Sequence, residues 1–403
     1  MKEPVILAYT GGATTSLCIH YLANHLNRKV LVYMANLGGT EDDTSALIAD
    51  AYKLGASQVH ITDLRSYLVE QVAFKALRAD AEFANGFFLA RAIGNICMIK
   101  GLVNLARENG VSTAAHGSSI VSSEQNRFEN LLSSCAPEME FISPPWHWEW
   151  HSREQVVSEV EQLLGRENKR IEKLRRYSLD ENDWGTTMSY GPVEDQWVAP
   201  PENMYRITQD PTHAPAEADE VEISFLKGLP VKLNGNEVGP LEMMKELTFI
   251  AAEHGIGRAD LISDGINGIK YREICEYPAA RTLFEAHKAL ELITQPQRLL
   301  QHQELMSIRY GETIMNGNWF TTIRRALDSY FNVTQERVSG TIRMRLSAGD
   351  CLAVGRKSPH TLVSSSDKDY TKLLNPKHLE GFNKISTVQN RLEAEREENV
   401  PLD

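Results

Sequence analysis

The sequence predicts an α/β protein: a doubly wound parallel sheet with helices on both faces, a second α+β domain, and a C-terminal helical arm. Three observations carry this. Over the first 150 residues short apolar runs alternate with longer amphipathic stretches, the pattern of parallel strands joined by crossover helices. From Val221 onwards the texture changes to alternating apolar and polar residues with hairpin signals. After Ser366 the chain becomes charged and ends in Glu393-Ala394-Glu395-Arg396-Glu397-Glu398-Asn399, a helix with little apolar face.

In the first domain the expected strands are residues 5–9, 30–34, 59–61, 113–116 and 141–143, with helices near 15–24, 44–54, 64–78, 90–108 and 124–135. These helices are long enough to cross between parallel strands. The stretch Pro144-Pro145-Trp146-His147-Trp148-Glu149-Trp150 ends the alternation, and the charged segment 152–176 leads the chain away. Further on, Val221-Glu222-Ile223-Ser224-Phe225 reads as a half-buried strand, Asn234-Gly235 as a hairpin turn, and 341–346 with 351–354 as an antiparallel pair. Helical patterns near 240–254 and 278–291 lie between them. The expected domains are therefore 1–165, 166–365 and 366–403.

Composition excludes several classes. The chain has 403 residues, 42% of them hydrophobic and 24% charged, which sets it apart from fibrous and disordered sequences. Its 54 acidic and 42 basic residues leave a net charge of −12, so phosphate backbones meet no general attraction and no nucleic-acid partner is expected. No apolar run approaches the roughly 18 residues of a membrane span, and Met1-Lys2-Glu3-Pro4 passes into a strand without a signal-like segment. A cytoplasmic protein with no membrane partner is expected. Cys18, Cys97, Cys135, Cys275 and Cys351 are scattered, which argues against a disulfide framework or a zinc site; most read as core residues.

The most informative segment is Ala8-Tyr9-Thr10-Gly11-Gly12-Ala13-Thr14-Thr15-Ser16, which leaves the first strand and opens the first helix. A glycine pair there lets the backbone turn tightly and point N–H groups at an anion, beside the positive end of the helix dipole. Thr10, Thr15 and Ser16 add hydroxyls. The same residues also suit an ordinary turn with an N-cap.

This loop resembles the S-G-G-x-D-[ST]-S pyrophosphate loop of enzymes that adenylate a substrate. Further blocks in order along the chain resemble one such family, argininosuccinate synthase: Ala35-Asn36-Leu37-Gly38, His116-Gly117, Gln125-Asn126-Arg127-Phe128-Glu129, Tyr177-Ser178-Leu179-Asp180-Glu181-Asn182, Gly255-Ile256-Gly257-Arg258, Asn316-Gly317-Asn318-Trp319-Phe320, Thr334-Gln335-Glu336-Arg337-Val338 and Val354-Gly355-Arg356-Lys357-Ser358-Pro359. The resemblance implies a nucleotide-binding domain of pyrophosphate-loop type, ATP with Mg²⁺, and an AMP-forming ligation. In that chemistry a ureido oxygen attacks the α-phosphate and the amine of aspartate then displaces AMP. It also implies amino-acid-like substrates and a homotetramer.

Carried over by position, Ala8, Tyr9, Thr10, Gly11, Gly12, Thr15, Ser16, Ala35 and Gly117 would bind ATP, with Thr10, Ser16 and Arg127 closest to the chemistry. Ser119, Ser123 and Glu124 fall on positions that hold the amine donor. Phe87, Ala92, Arg127, Ser178, Thr187, Ser263 and Cys275 fall on those that hold citrulline. The chain departs from the family in three places. Thr14 replaces the loop aspartate. The lysine and both glycines after Gly117 are gone. In the citrulline positions, Phe87 and Cys275 stand for tyrosines, Ala92 for a serine, and Ser263 for a glutamate.

Each lost buried partner costs about 1–3 kcal/mol, so the substitutions read as a change of acceptor. The leading expectation is a C–N ligase with a non-citrulline acceptor. A genuine argininosuccinate synthase and a non-catalytic paralogue are the alternatives. Among other residues, His147, Glu149 and His151 read as structural, and no protein-held metal site is expected. His116 is a candidate active-site neighbour. Asp180, Glu181 and Asn182 read as a cap or turn. Arg343, Arg345, Arg356 and Lys357 read as a solvated or subunit-contact face, and Met243 and Met244 as core.

Overall fold

The computed structural model describes residues 3–39, 44–83, 86–118, 123–168, 170–264, 268–363 and 375–397. The first domain runs β1 (Val5–Ala8), α1 (Ala13–His20), β2 (Val30–Asn36), α2 (Thr44–Lys53) and β3 (Gln58–Asp63). It continues through α3 (Arg65–Tyr67), a π-type turn and α4 (Phe74–Arg78) to α5 (Ala90–Glu108), β4 (Thr113–Ala115), α6 (Ser123–Cys135) and β5 (Glu140–Ile142). The five strands form one parallel sheet in the order β3-β2-β1-β4-β5. Every residue of β1 is buried, and the two-residue repeat of a strand divides them: Val5 and Leu7 join the core under α1, Ile6 and Ala8 the core under α5.

The chain winds outward from β1 to β3, then restarts on the other side of β1 at β4. The direction of winding therefore reverses between β1 and β4, and the crevice beyond the strand ends at such a reversal is where open α/β sheets place ligands. The loop after β1 and the segment after β4 both lie there.

Two charged helices follow, α7 (Arg153–Leu164) and α8 (Arg170–Arg176). A capping box of Ser152 and Gln155 starts α7, and Gly165 at φ +92° stops it. The second part contains β6 (Ser178–Asn182), β7 (Gly185–Ser189), β8 (Asp219–Leu226), β9 (Leu229–Leu233), β10 (Asn236–Glu237), α9 (Pro240–Glu253), β11 (Arg258–Asp264) and β12 (Lys270–Glu276). It ends with α10 (Pro278–Thr294), α11 (Gln297–Met315), α12 (Thr322–Thr334), β13 (Gly340–Ser347) and β14 (Asp350–Lys357). The strands make two antiparallel sheets, β10-β9-β8-β13-β14 and β11-β12-β7-β6. The expected turn at Asn234-Gly235 has positive φ at both residues, 50° and 84°, as a type I′ hairpin requires.

By its contacts the chain divides into two compact units, Met1–Thr361 and Leu362–Asp403. The second contains α13 (Pro376–Ser386) and α14 (Val388–Arg396), neither of which buries a residue. Leu379, Phe382 and Ile385 on α13 are exposed, an apolar set that the charge-based reading of the tail passed over. The expected boundary at 365/366 lies outside the described residues. No helix among the described residues is long and apolar enough to cross a membrane.

Candidate active site

At the strand reversal the backbone does what the glycine pair predicts. Tyr9 N–H donates to Tyr33 O at 2.9 Å, keeping the chain in register past Ala8 at the end of β1. Gly11 then turns at φ +78°, where a side chain is strained, and a Cβ there would lie 2.6 Å from Leu47 Cδ2. Gly12 is the N-cap of α1, and no side chain caps the helix. Its first-turn amides and dipole are therefore left to an anion. Thr15 Oγ1 donates to Gly12 O at 3.1 Å and stands 3.5 Å from Thr10 Oγ1.

Gly117 closes the other side. A Cβ on it would lie 2.8 Å from Thr15 Cγ2 and 3.2 Å from Thr15 N, so only glycine allows this approach. Ala35 lies on β2, two residues past Tyr33, the partner of Ala8. Ser16 supports the loop from beneath: it is buried, with Oγ 3.4 Å from Tyr9 OH and its N–H bonded to Gly12 O at 3.0 Å. One brace was not foreseen. Arg170, the first residue of α8, donates through Nη2 to Gly11 O and pairs through Nη1 with Asp50 on α2. Asn168 Nδ2 also donates to Asp50, at 2.9 Å.

Three of the expected acceptor residues, Phe87, Ala92 and Arg127, line a small pocket of about 10 Å³. Phe87 and Ala92 give it an apolar wall, and Glu124 and Arg127 come from α6. Arg91, Tyr271, Glu273 and Met315 complete it. Arg127 is 3% exposed, and each of its three nitrogens donates once: Nε to Met315 O at 2.7 Å, Nη1 to Asn95 Oδ1 at 3.0 Å, and Nη2 to Met315 Sδ at 3.2 Å. Burial pulls its pKa below the ordinary arginine value. Asn95 Nδ2 in turn donates to Glu124 Oε1 at 3.4 Å.

Arg91 is the feature that sequence reasoning missed. It pairs with Asp180 through Nε and with Glu273 through Nη1, each at 2.8 Å. Burial opposes its charge, but Asp180 and Glu273 outweigh burial and hold its pKa well above the ordinary value. Burial raises the pKa of Asp180 against the pull of Arg91. Asp180 therefore lies on strand β6 in an ion pair, a correction to the cap-or-turn expectation. Of that trio only Asn182 makes a turn, its Oδ1 accepting from Trp184 N–H at 2.9 Å. For Arg91 the signal was there to read, since it is a lone charge in the apolar stretch Phe87–Ile93; Glu273, flanked by Arg272 and Glu276, gave none.

The other expected acceptor residues, Ser178, Thr187, Ser263 and Cys275, lie on the β11-β12-β7-β6 sheet and do not line the pocket. Ser263 Oγ donates to Glu273 Oε2 at 3.4 Å. Thr187 Oγ1 stands 3.5 Å from Tyr277 OH and 3.9 Å from Cys275 Sγ. Burial pushes the Cys275 thiol up to about 12, so it is neutral and not a nucleophile at ordinary pH. Ser178 opens β6, opposite Ser189. Leu89, just before α5, is buried and has φ +64°, a strained conformation for leucine. Trp184 Nε1 donates to Phe88 O beside it at 2.8 Å. Ser119 lies outside the described residues, and Ser123 is the first residue of α6.

His116 is a buried neighbour of Gly117, with Nε2 3.5 Å from Glu129 and its ring packed 5.0 Å from Phe128. His147, Glu149 and His151 are exposed. Among the described residues the cluster with metal-like spacing is instead Asp80, His287 and Glu291, buried in a hydrogen-bonded network. Arg343 and Arg345 pair with Glu222 and Glu220 on the outer face of β8. Met243 and Met244 are core.

Comparison with known families bears directly on this arrangement. The model described as the arginosuccinate synthase N-terminal HUP domain matches residues 4–163, and that of the C-terminal domain matches 177–393. The chain belongs to the argininosuccinate synthase family. The argininosuccinate synthase of Chlorobium limicola is 37% identical over 383 residues, covering 94% of this chain and 95% of its own length. Those of Chlorobium chlorochromatii and Chlorobaculum tepidum are 36% identical over 384 residues and 35% identical over 388. They cover 94% and 95% of this chain, and 95% and 96% of their own lengths. The argininosuccinate synthase family is one of ATP-dependent ligases. Arg170 lies in the short stretch between the two matched domains.

Proposed function

We propose that this member is an AMP-forming C–N ligase. It joins an adenylated carbonyl or ureido carbon to the amine of aspartate or a similar amino acid, with an acceptor other than citrulline. The observation that carries the reading is an uncapped glycine turn at the strand reversal, together with a small pocket lined by Phe87 and Ala92, where the resemblance implies hydroxyls. The loop amides, with Thr10, Thr15 and Gly117, hold the triphosphate, and Ala8 and Ala35 flank the adenosine. An acceptor oxygen attacks the α-phosphorus and pyrophosphate leaves. The donor nitrogen then forms the new C–N bond as the carbon–oxygen bond to AMP breaks.

Ser119, Ser123 and Glu124 orient the donor amine, while Arg127, Ser178 and Thr187 position the activated partner. Magnesium, when bound, neutralises charge on the departing pyrophosphate. Thr10, Thr14 and Thr15 offer hydroxyls and no carboxylate, which suits an ion held chiefly by phosphate and water. The same reading gives a cytoplasmic homotetramer, and the exposed apolar residues of α13 support assembly through the C-terminal helices.

AMP and pyrophosphate release from ATP, Mg²⁺ and aspartate, measured across ureido and amide acceptors, tests this. Turnover with a non-citrulline acceptor at least 100-fold above citrulline is expected. The extent of identity to proteins named argininosuccinate synthase favours a second reading, and efficient argininosuccinate formation from citrulline would establish it. No release with any acceptor would leave a non-catalytic paralogue, as the change at Thr14 allows.

A further inference from the structure

The acceptor pocket already contains a cation and an anion of its own. Arg91 reaches in from the first turn of α5 and Glu273 from β12, and they meet at 2.8 Å. Glu273 is 1% exposed and receives Ser263 Oγ on its other oxygen, so the pair is fixed from both sides. Asp180 holds the Arg91 guanidinium from a third direction. The space left, about 10 Å³, admits roughly one water molecule.

An α-ammonium and α-carboxylate are together larger than one water, and their charges would have to displace buried charges that already pair with one another. Arg91 Nε and Nη2 are both buried without a hydrogen-bond partner among the described residues, although Nε stands 2.8 Å from Asp180. A buried N–H of this kind strongly favours a ligand oxygen that satisfies it.

We infer that the Arg91–Glu273 pair is the specificity-determining element of the acceptor site. It stands in place of an amino-acid head group and selects a short ureido or amide acceptor that lacks an α-ammonium and presents a carbonyl oxygen to Arg91. This inference rests on the ligase reading above. Arg91 and Glu273 act by filling and charging the pocket, and the triphosphate is held by the loop.

The test compares acceptors that share a ureido group: alkylureas, ω-ureido carboxylic acids, and ω-ureido α-amino acids of matched chain length. Wild-type protein and the Arg91→Ala/Glu273→Ala double variant are assayed for AMP release with ATP and aspartate. The wild type is expected to prefer alkylureas over ureido amino acids by 100-fold or more in kcat/KM. The double variant, with charge conserved and volume opened, should shift that ratio at least 10-fold toward the ureido amino acids, with KM for ATP unchanged. Equal use of both classes by the wild type, or an unchanged ratio in the double variant, overturns the inference.

Glu273→Gln keeps the shape of the site and serves if the double variant does not fold. By freeing Arg91 it should improve ω-ureido carboxylic acids about 10-fold relative to alkylureas, and no change counts against the inference. If no acceptor releases AMP, the ligase reading fails, and saturation-transfer NMR with ATP present reads the pocket directly. Alkylureas binding in preference to ureido amino acids then support the inference; equal or absent binding of both overturns it.

Discussion

At the His287 ring both nitrogens are hydrogen-bonded, Nδ1 to Asp80 Oδ1 and Nε2 to Gln335 Oε1, each at 3.0 Å. Gln335 turns its amide N–H toward Glu291, so its oxygen must accept from the imidazole, and Asp80 accepts as well. Two donating nitrogens make an imidazolium. Burial alone would lower its pKa, but Glu291 and Asp80 outweigh burial and raise it to about 9. A folded-state pKa above the ordinary 6.5 gives stability that is complete below 6.5 and is lost as pH rises through about 9. Wild-type protein should therefore lose on the order of 3 kcal/mol between those limits, and His287→Gln should flatten the loss. Urea unfolding midpoints of both proteins across that range check this, and parallel curves would rule out the charged histidine.

Among the elements, the turn between β1 and α1 is secured by a residue far away in sequence. Arg170 ties Gly11 O to Asp50, joining α8, the turn and α2. Removing it leaves the Gly11 carbonyl without this donor and Asp50 without its cation, with Asn168 still donating to it, at about 1–3 kcal/mol for a lost buried partner. Arg170→Ala is thus expected to raise KM for ATP about 10-fold and to change kcat less. A fall in kcat alone would instead place Arg170 at the reacting phosphate. The turn itself was legible in the sequence because its glycines and hydroxyls are consecutive and their geometry is local. Likewise each parallel strand announced itself as a short apolar run, and Asn234-Gly235 fixed its hairpin through two positive φ angles. The π-type turns at Tyr21–His25 and Leu68–Ala73 were not legible, since an extra residue per turn leaves the apolar spacing almost unchanged. The links from Arg170 to Gly11 and from Arg91 to Glu273 were hidden for another reason. Each joins segments that meet only when separate elements pack.

For the whole molecule, the reversal of winding between β1 and β4 sets where a nucleotide belongs, and the β11-β12-β7-β6 sheet supplies one wall of the acceptor pocket. Assembly is a separate matter. Leu379, Phe382 and Ile385 recur at helical spacing on α13 and are 43–76% exposed, a set of apolar side chains that an oligomer would bury. Serine at all three positions should shift the proposed tetramer toward smaller species in analytical ultracentrifugation. An unchanged sedimentation coefficient would show that α13 plays no part in assembly.

Trp184 offers an optical handle on the segment that enters α5. Its indole is buried and bonded to the Phe88 carbonyl, between Phe87 in the pocket wall and the strained Leu89. With the other five of the six tryptophans changed to phenylalanine, its emission becomes a fluorophore signal for that segment. Titrating an acceptor into such a protein reports occupancy without any turnover, and stopped-flow mixing would time the arrival of each ligand.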